Sequence, residues 1–208
     1  RMALHQIDRQ PDYIRYLQSD PGEIQSLFSD LLIGVTSFFR DPEAFAALET
    51  EVVPRLFARK PAGAAVRIWV CPCSSGEEAY SIAILIHEHL EVIKQSFQVQ
   101  IFATDLDARA ITQARGGTYP ASIATDVSAE RLARFFTLDS DAGVYRIQKA
   151  VRDLVVFSEQ DLIRDPPFSR LDLISCRNLL IYLDGTLQRK LIPLFHYALN
   201  PDGVLFLG

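Results

Sequence analysis

From residue 66 to the end of the chain, short apolar runs alternate with stretches of helical period. The runs at 66–70, 99–104, 155–158, 171–175 and 204–207 are mainly apolar, with consecutive apolar residues rather than only every second one. A strand of that kind must be buried on both faces, which requires helices on either side of it. The intervening segments supply them. Residues 77–90 put Ala79, Ile82, Ala83, Ile86 and Leu90 on one helical face, 107–114 form a shorter helix, and 185–199 a third that ends at Asn200-Pro-Asp-Gly203. The expected fold class is therefore α/β, a doubly wound, mainly parallel sheet.

Two regions depart from this rhythm. The first sixty residues carry helical signals only. Asp20 and Pro21 form an N-cap and first-turn pair ahead of Ile24, Leu27, Phe28, Leu31 and Leu32, and Asp41 and Pro42 open a second start leading to Phe45, Leu48 and Val52. Between them, residues 34–40 break the period and carry two aromatics and a cation, which marks a candidate functional loop. The second departure, 119–152, combines a short helix at 128–136, a turn at 139–143 and alternation over 144–151. It reads as an inserted subdomain with a small antiparallel ribbon. The expected organisation is an N-terminal helical region, 1–60, followed by a sheet domain, 61–208, containing the insertion.

Composition narrows the function classes. With 208 residues, 49% hydrophobic and 23% charged, the chain can build a core, and no apolar run approaches the ~18 residues of a membrane span. A net charge of −5 argues against a general nucleic-acid binder, which needs clustered cations for phosphate. Three cysteines, Cys71, Cys73 and Cys176, are too few for a disulfide framework and suit a reducing cytoplasm. No leader pattern is visible at residues 1–13. Both chain ends look excised, so flanking domains are expected in a longer protein.

In an open parallel sheet, ligands bind beyond the carboxyl ends of the strands. Four polar clusters fall there: Cys71-Pro-Cys-Ser-Ser-Gly76-Glu-Glu78, Asp105, Gln160-Asp161-Leu162, and Cys176-Arg-Asn178-Leu-Leu-Ile-Tyr182. Gly76 alone is a weak nucleotide-cradle signal, and an ordinary strand-to-helix turn is the better explanation of that loop taken by itself. Asp105 is placed to accept ribose hydroxyls, or to cap the next helix, and Asp107 competes with it for either role. Glu77 and Glu78 at a helix entry are favoured by the dipole but repel phosphate. They suit a cationic ligand with ribose hydroxyls, such as S-adenosylmethionine. Cys71-x-Cys73 lacks a second ligand pair at zinc spacing, and motifs for a serine hydrolase, a zinc protease or a P-loop are absent.

Five segments taken in order resemble the CheR family of S-adenosylmethionine-dependent methyltransferases, which esterify glutamates of bacterial chemoreceptors. They are Thr36-Ser-Phe-Phe-Arg-Asp41, Ser75-Gly-Glu-Glu-Ala-Tyr-Ser-Ile-Ala83, Phe102-Ala-Thr-Asp-Leu-Asp107, Cys176-Arg-Asn-Leu-Leu-Ile-Tyr-Leu-Asp184 and Pro201-Asp-Gly-Val-Leu-Phe-Leu-Gly208. Asp165-Pro-Pro-Phe168 is most similar to versions fused to methylesterase-like and sensory domains. The resemblance implies a Rossmann-like methyltransferase domain over 61–208, with Gly76, Glu78, Asp105, Asp161, Leu162, Asn178 and Leu179 at the cofactor. It implies that Arg40 and Tyr182 face the reacting carboxylate, and that the partner is a helical chemoreceptor or related signalling protein. S-adenosylhomocysteine would be the product. Two features depart from the family pattern: Cys71-Pro72 stands where small residues are usual, and residues 1–40 hold four arginines against five acidic residues instead of a basic helix. On the residues alone, Arg40 pairing with Asp41 and Tyr182 merely packing remain alternatives. A non-catalytic S-adenosylmethionine or S-adenosylhomocysteine sensor is the competing function.

Overall fold

The computed structural model describes residues 1–31, 34–58 and 60–208, without the side chains of Gln25, Phe28, Ser29 and Leu31. The chain divides into two compact units, Arg1–Val35 and Thr36–Gly208. In the first, α1 (Gln10–Ser19) and α2 (Pro21–Leu31) follow one another. Asp20 caps α2 as its sequence predicts, its Oδ1 accepting from the amides of Gly22 and Glu23 at 2.8 and 3.3 Å. Leu32 and the side chains of Phe28 and Leu31, expected on the apolar face of α2, lie outside the described residues. The buried Glu23 carboxylate gathers Arg1, Tyr13 at 2.7 Å and His5 at 2.9 Å. The Arg1 hydrogen bonds are the main reason its pKa is held down to about 2.

The second unit opens with α3 (Pro42–Ala47), a π-helical turn (Leu48–Val52) and α4 (Val53–Ala58). Then come β1 (Ala65–Val70), α5 (Glu77–Ile93), β2 (Gln98–Asp105) and α6 (Ala108–Gly116). The insertion holds β3 (Thr118–Pro120), α7 (Ala129–Phe135), β4 (Phe136–Asp139), β5 (Val144–Ile147) and α8 (Lys149–Arg152). The chain finishes with β6 (Val155–Glu159), β7 (Leu171–Cys176), α9 (Gly185–Ala198) and β8 (Leu199–Leu207). The main sheet has the order β6-β2-β1-β7-β8 with every neighbouring pair parallel, which is the expected doubly wound class. Strand order reverses between β1 and β7, so the ligand crevice of such a sheet falls there.

The sheet's composition follows from its two covered faces. Along β1, Ile68 and Val70 join the core under α5, while Trp69 joins a second cluster with Ile174, Leu191 and Phe195. Adjacent residues therefore need to be apolar in opposite directions. At the end where the strands begin, the buried Asp172 carboxylate ties β7 to its neighbours. It accepts from the Arg67 amide at 2.9 Å and Asn200 Nδ2 at 2.8 Å, with Lys60 Nζ at 3.0 Å.

The insertion forms its own antiparallel sheet, β3-β5-β4. Ser128 caps α7, one residue ahead of the helix. The alternation read over 144–151 stops at Ile147, because residues 149–152 close into a helical turn that buries Val151 completely. The third helix ends ahead of Asn200-Pro-Asp-Gly203 as expected, and those residues are absorbed into β8, where the register jumps from Leu171↔Leu199 to Leu173↔Val204. Asp41 also differs from its reading: it precedes α3 in a left-handed conformation and makes no side-chain cap.

Candidate functional site

A chain of hydrogen bonds runs along the carboxyl ends of the central strands. The Gln160 amide donates to the Asp105 carbonyl at 3.0 Å, joining the exits of β6 and β2. Asp105 then joins β2 to the loop after β1, its Oδ2 accepting from the Ser74 amide at 2.7 Å and its Oδ1 from the Asp107 amide at 3.0 Å. The Cys71 amide reaches the Ser175 carbonyl of β7 at 2.9 Å. Ser175 Oγ in turn donates to Glu78 Oε1 in the first turn of α5 at 2.6 Å. Asp105, Glu78 and Asn178 thus stand on one rim, with Asp161 and Leu162 continuing from Gln160.

The two aspartates after β2 separate cleanly. Asp107 caps α6, accepting from the amides of Arg109 and Ala110 at 2.8 and 3.4 Å, which leaves Asp105 as the rim residue. In the loop after β1, the amides of Cys71, Cys73, Ser74 and Gly76 are all taken by protein oxygens. That leaves little of the backbone cradle that a phosphate needs. Gly76 has φ 96, and a Cβ there would stand 2.9 Å from Ala114 Cβ and 3.1 Å from Tyr119 Oη. Packing of α5 against the insertion and α6 therefore already requires a glycine here.

Glu77 and Glu78 are both buried, and burial pushes both carboxyls up. Ser75 Oγ offsets this for Glu77 at 2.8 Å. For Glu78 the offset comes from Ser175, from Arg177 with its Nη1 at 3.3 Å, and from the charge of Arg40. The thiols of Cys71 and Cys73 are pushed well up by burial, which removes them as nucleophiles at neutral pH.

The loop that carries Arg40 is anchored by the aromatics that flank it. Phe38 is buried between Tyr119 and Phe136 of the insertion, with ring centroids at 4.9 and 5.4 Å. Phe39 packs on Phe45 and under the Arg131 guanidinium, 4.7 Å from its ring, and its amide donates to Ser81 Oγ at 3.0 Å. Phe39 and Asp41 both hold positive φ, 49° and 59°, so Arg40 lies between two left-handed residues. Asp41 gives its carboxylate to Arg177, Nη2 to Oδ2 at 2.5 Å.

Arg177 is the residue that the sequence reading passed over. It is 3% exposed, and besides Asp41 and Glu78 its Nη1 donates to the Arg40 carbonyl at 3.1 Å. Its one sequence signal was position: a cation between the last residue of a buried strand and Asn178. Asn178 takes φ 55, a conformation asparagine tolerates, and its amide donates to the Gly208 carbonyl at 3.0 Å. Leu162 and Leu179 pack at the edge of the second core cluster. Asp161 turns inward to its own loop, Oδ1 accepting from the amides of Ile163 and Arg164 at 2.9 and 3.3 Å. Tyr182, at the end of the short turn Leu180–Tyr182, is 61% exposed.

The donor set suits a cationic ligand bearing hydroxyls and amines. The carboxylates of Glu78 and Asp105 stand at the strand ends, and Gln160 Oε1 is buried without a protein donor. That acceptor fits a ligand N–H. Among the described residues, no helix is long and apolar enough to cross a membrane.

Comparison with known proteins agrees with this chemistry. Residues 34–208 match the family described as CheR methyltransferase, SAM binding domain. The whole chain is 39% identical to an uncharacterized 104.1 kDa protein of Rhodobacter capsulatus, of which it spans 22%. It is 35% identical over 94% of its length to chemotaxis protein methyltransferase 2 of Vibrio cholerae, of which it spans 68%. Among solved structures, a SAM-dependent methyltransferase of Thiobacillus denitrificans in complex with S-adenosylhomocysteine matches 80% of this chain and 47% of its own. That match is 17% identical with a TM-score of 0.44.

Proposed function

The chain belongs to the CheR methyltransferase family, and from that premise we propose that it transfers a methyl group from S-adenosylmethionine to glutamate side chains of chemoreceptor-type signalling proteins, forming glutamyl methyl esters. The observation that carries this reading is the rim itself: acidic side chains beside the strand ends, and a loop carrying Arg40 fastened to the same network. The relatives named as chemotaxis methyltransferases support the acceptor class.

When bound, S-adenosylmethionine supplies an electrophilic methyl on sulfonium sulfur, so that a C–O bond to the acceptor forms as the C–S bond breaks and the electron pair stays on sulfur. The acceptor needs no general base, because a glutamate with pKa ≈ 4.3 is already ionised at neutral pH. Arg40 clamps that carboxylate through its guanidinium fork. Tyr182 donates a second hydrogen bond from its exposed hydroxyl. Asp105 takes the ribose hydroxyls, and Asp161, Leu162, Asn178 and Leu179 border the rest of the cofactor. Glu78 stands behind them as the counter-charge to Arg177 and Arg40. The enzyme's contribution is alignment, which supplies several kcal/mol when donor and acceptor are held in line. The proposed setting is the cytoplasm, where the three cysteines remain free thiols.

The test is transfer of labelled methyl to a receptor-type acceptor as base-labile ester. Arg40→Ala should abolish ester formation while S-adenosylhomocysteine binding, measured by calorimetry, stays nearly intact. Methyl transfer at the normal rate by the Arg40→Ala protein would remove Arg40 from its role. Tight S-adenosylhomocysteine binding with no ester on any acceptor would leave a cofactor-sensing module in place of an enzyme.

A further inference from the structure

We propose that Arg177 is a positioning residue that fixes Arg40 toward the acceptor, and this rests on the reading of Arg40 as the acceptor's clamp. One buried guanidinium spends its donors on three partners from two separate pieces of chain, the loop at 40–41 and the first turn of α5. Nη1 meets the Arg40 carbonyl and the Glu78 carboxylate, and Nη2 meets Asp41. It packs against two aromatic rings set at right angles to each other, 5.4 Å from the Phe45 centroid and 5.0 Å from that of Phe206. Arg177 therefore grips the chain just after the Arg40 Cα, through the carbonyl of residue 40 itself and the side chain of residue 41.

The arrangement is poorly explained as stabilisation alone. Arg177 Nε is buried without a partner, and the space that would hold one is crowded by Gly208, where a Cβ would come within 2.7 Å of it. Buried ion pairs of this kind contribute little net stability once desolvation is counted. What they do fix is geometry. Phe39 and Asp41 hold left-handed backbone angles on either side of Arg40, and such angles persist only where surrounding contacts over-determine them. Arg177 supplies those contacts on the Asp41 side, as Ser81 does on the Phe39 side. Lysine cannot replace it, since a single ammonium lacks the planar fork that reaches partners in different directions.

Arg177→Lys is the severe variant. Asp41→Asn is the mild one: its side chain is more than half exposed, and asparagine keeps the left-handed preference while losing the charge. In both full-chain proteins, hydrogen exchange over residues 36–41 should quicken while the amides of α5 stay protected. For Asp41→Asn, kcat/KM for the acceptor should fall about five-fold, with S-adenosylhomocysteine affinity within about two-fold of the parent. Unchanged exchange over 36–41, or an acceptor kcat/KM that Asp41→Asn leaves at the parental value, would overturn the proposal. If the parent protein forms no ester at all, the methyl-transfer reading falls, whereas the exchange comparison still decides whether Arg177 anchors the loop.

Discussion

Glu78 carries two obligations that pull its charge in opposite directions. Burial disfavours the carboxylate, while Ser175, Arg177 and Arg40 favour it, and burial prevails, so its pKa lies above the ordinary 4.5. The consequence for stability has a definite sign. A carboxyl whose folded value exceeds its unfolded one adds its full share of stability below about pH 4.5, and loses it as pH rises through the folded value. Glu78→Gln titrates nowhere. The stability difference between parent and Glu78→Gln should therefore favour the parent more in acid than at neutral pH, as read from urea unfolding at a series of pH values. A difference that does not vary with pH, or that grows toward neutrality, would show that Glu78 is not raised. This residue was legible as part of the motif Ser75-Gly-Glu-Glu78, but its partners were not. Ser175 and Arg177 lie 97 and 99 positions away, and no spacing rule reaches that far. Asp105 and Asp107 show the opposite case: the sequence named both, and only the direction of each carboxylate separated the rim residue from the helix cap.

At the scale of elements, the strands after residue 65 were readable because burial on both faces leaves an unmistakable composition, and their boundaries fall within a few residues of those expected. The irregular pieces were not. β4 follows α7 without a connecting residue, and β8 swallows a Pro-Asp-Gly turn into a register shift, so local turn chemistry gave way to pairing with a neighbour. The loop after β6 poses a question that a pair of variants can answer. Asp161 was expected at the cofactor, yet its Oδ1 is engaged in capping the turn at Ile163 and Arg164. Asparagine can make the same cap and alanine cannot. If Asp161 acts by shaping this loop, S-adenosylhomocysteine affinity should be close to parental in Asp161→Asn and about ten-fold weaker in Asp161→Ala, the loss of a hydrogen-bonded turn of roughly 1 kcal/mol or more. Equal losses in the two variants would mean that the charge itself meets the ligand.

The second unit as a whole has a polarity that follows from its all-parallel sheet. Every strand begins at the end braced by Asp172, Lys60 and Asn200, and finishes at the end where Asp105, Ser175 and Arg177 converge. One end is closed by carboxylate ties within the protein, while the other keeps an unpartnered acceptor in Gln160 and places the exposed Tyr182 beyond β7. Strand order, β6-β2-β1-β7-β8, decides which loops become neighbours, and nothing in the periodicity of any single strand encodes it. Ligand binding should report this polarity directly. With S-adenosylhomocysteine at about 100 times its dissociation constant, a one-site ligand adds about 2.7 kcal/mol to the folded state. For a body of this size that corresponds to a rise in Tm of roughly 5–10 °C. The protection should also be distributed along one rim: amide exchange should slow at 71–76, 105–107, 160–165 and 177–182, and change little at 65–67 and 98–100, where the strands start. A ligand that protected the strand-starting end, or raised Tm without slowing exchange at any of the four loops, would place the binding site elsewhere, because linkage concentrates protection in the segments whose opening the ligand must prevent.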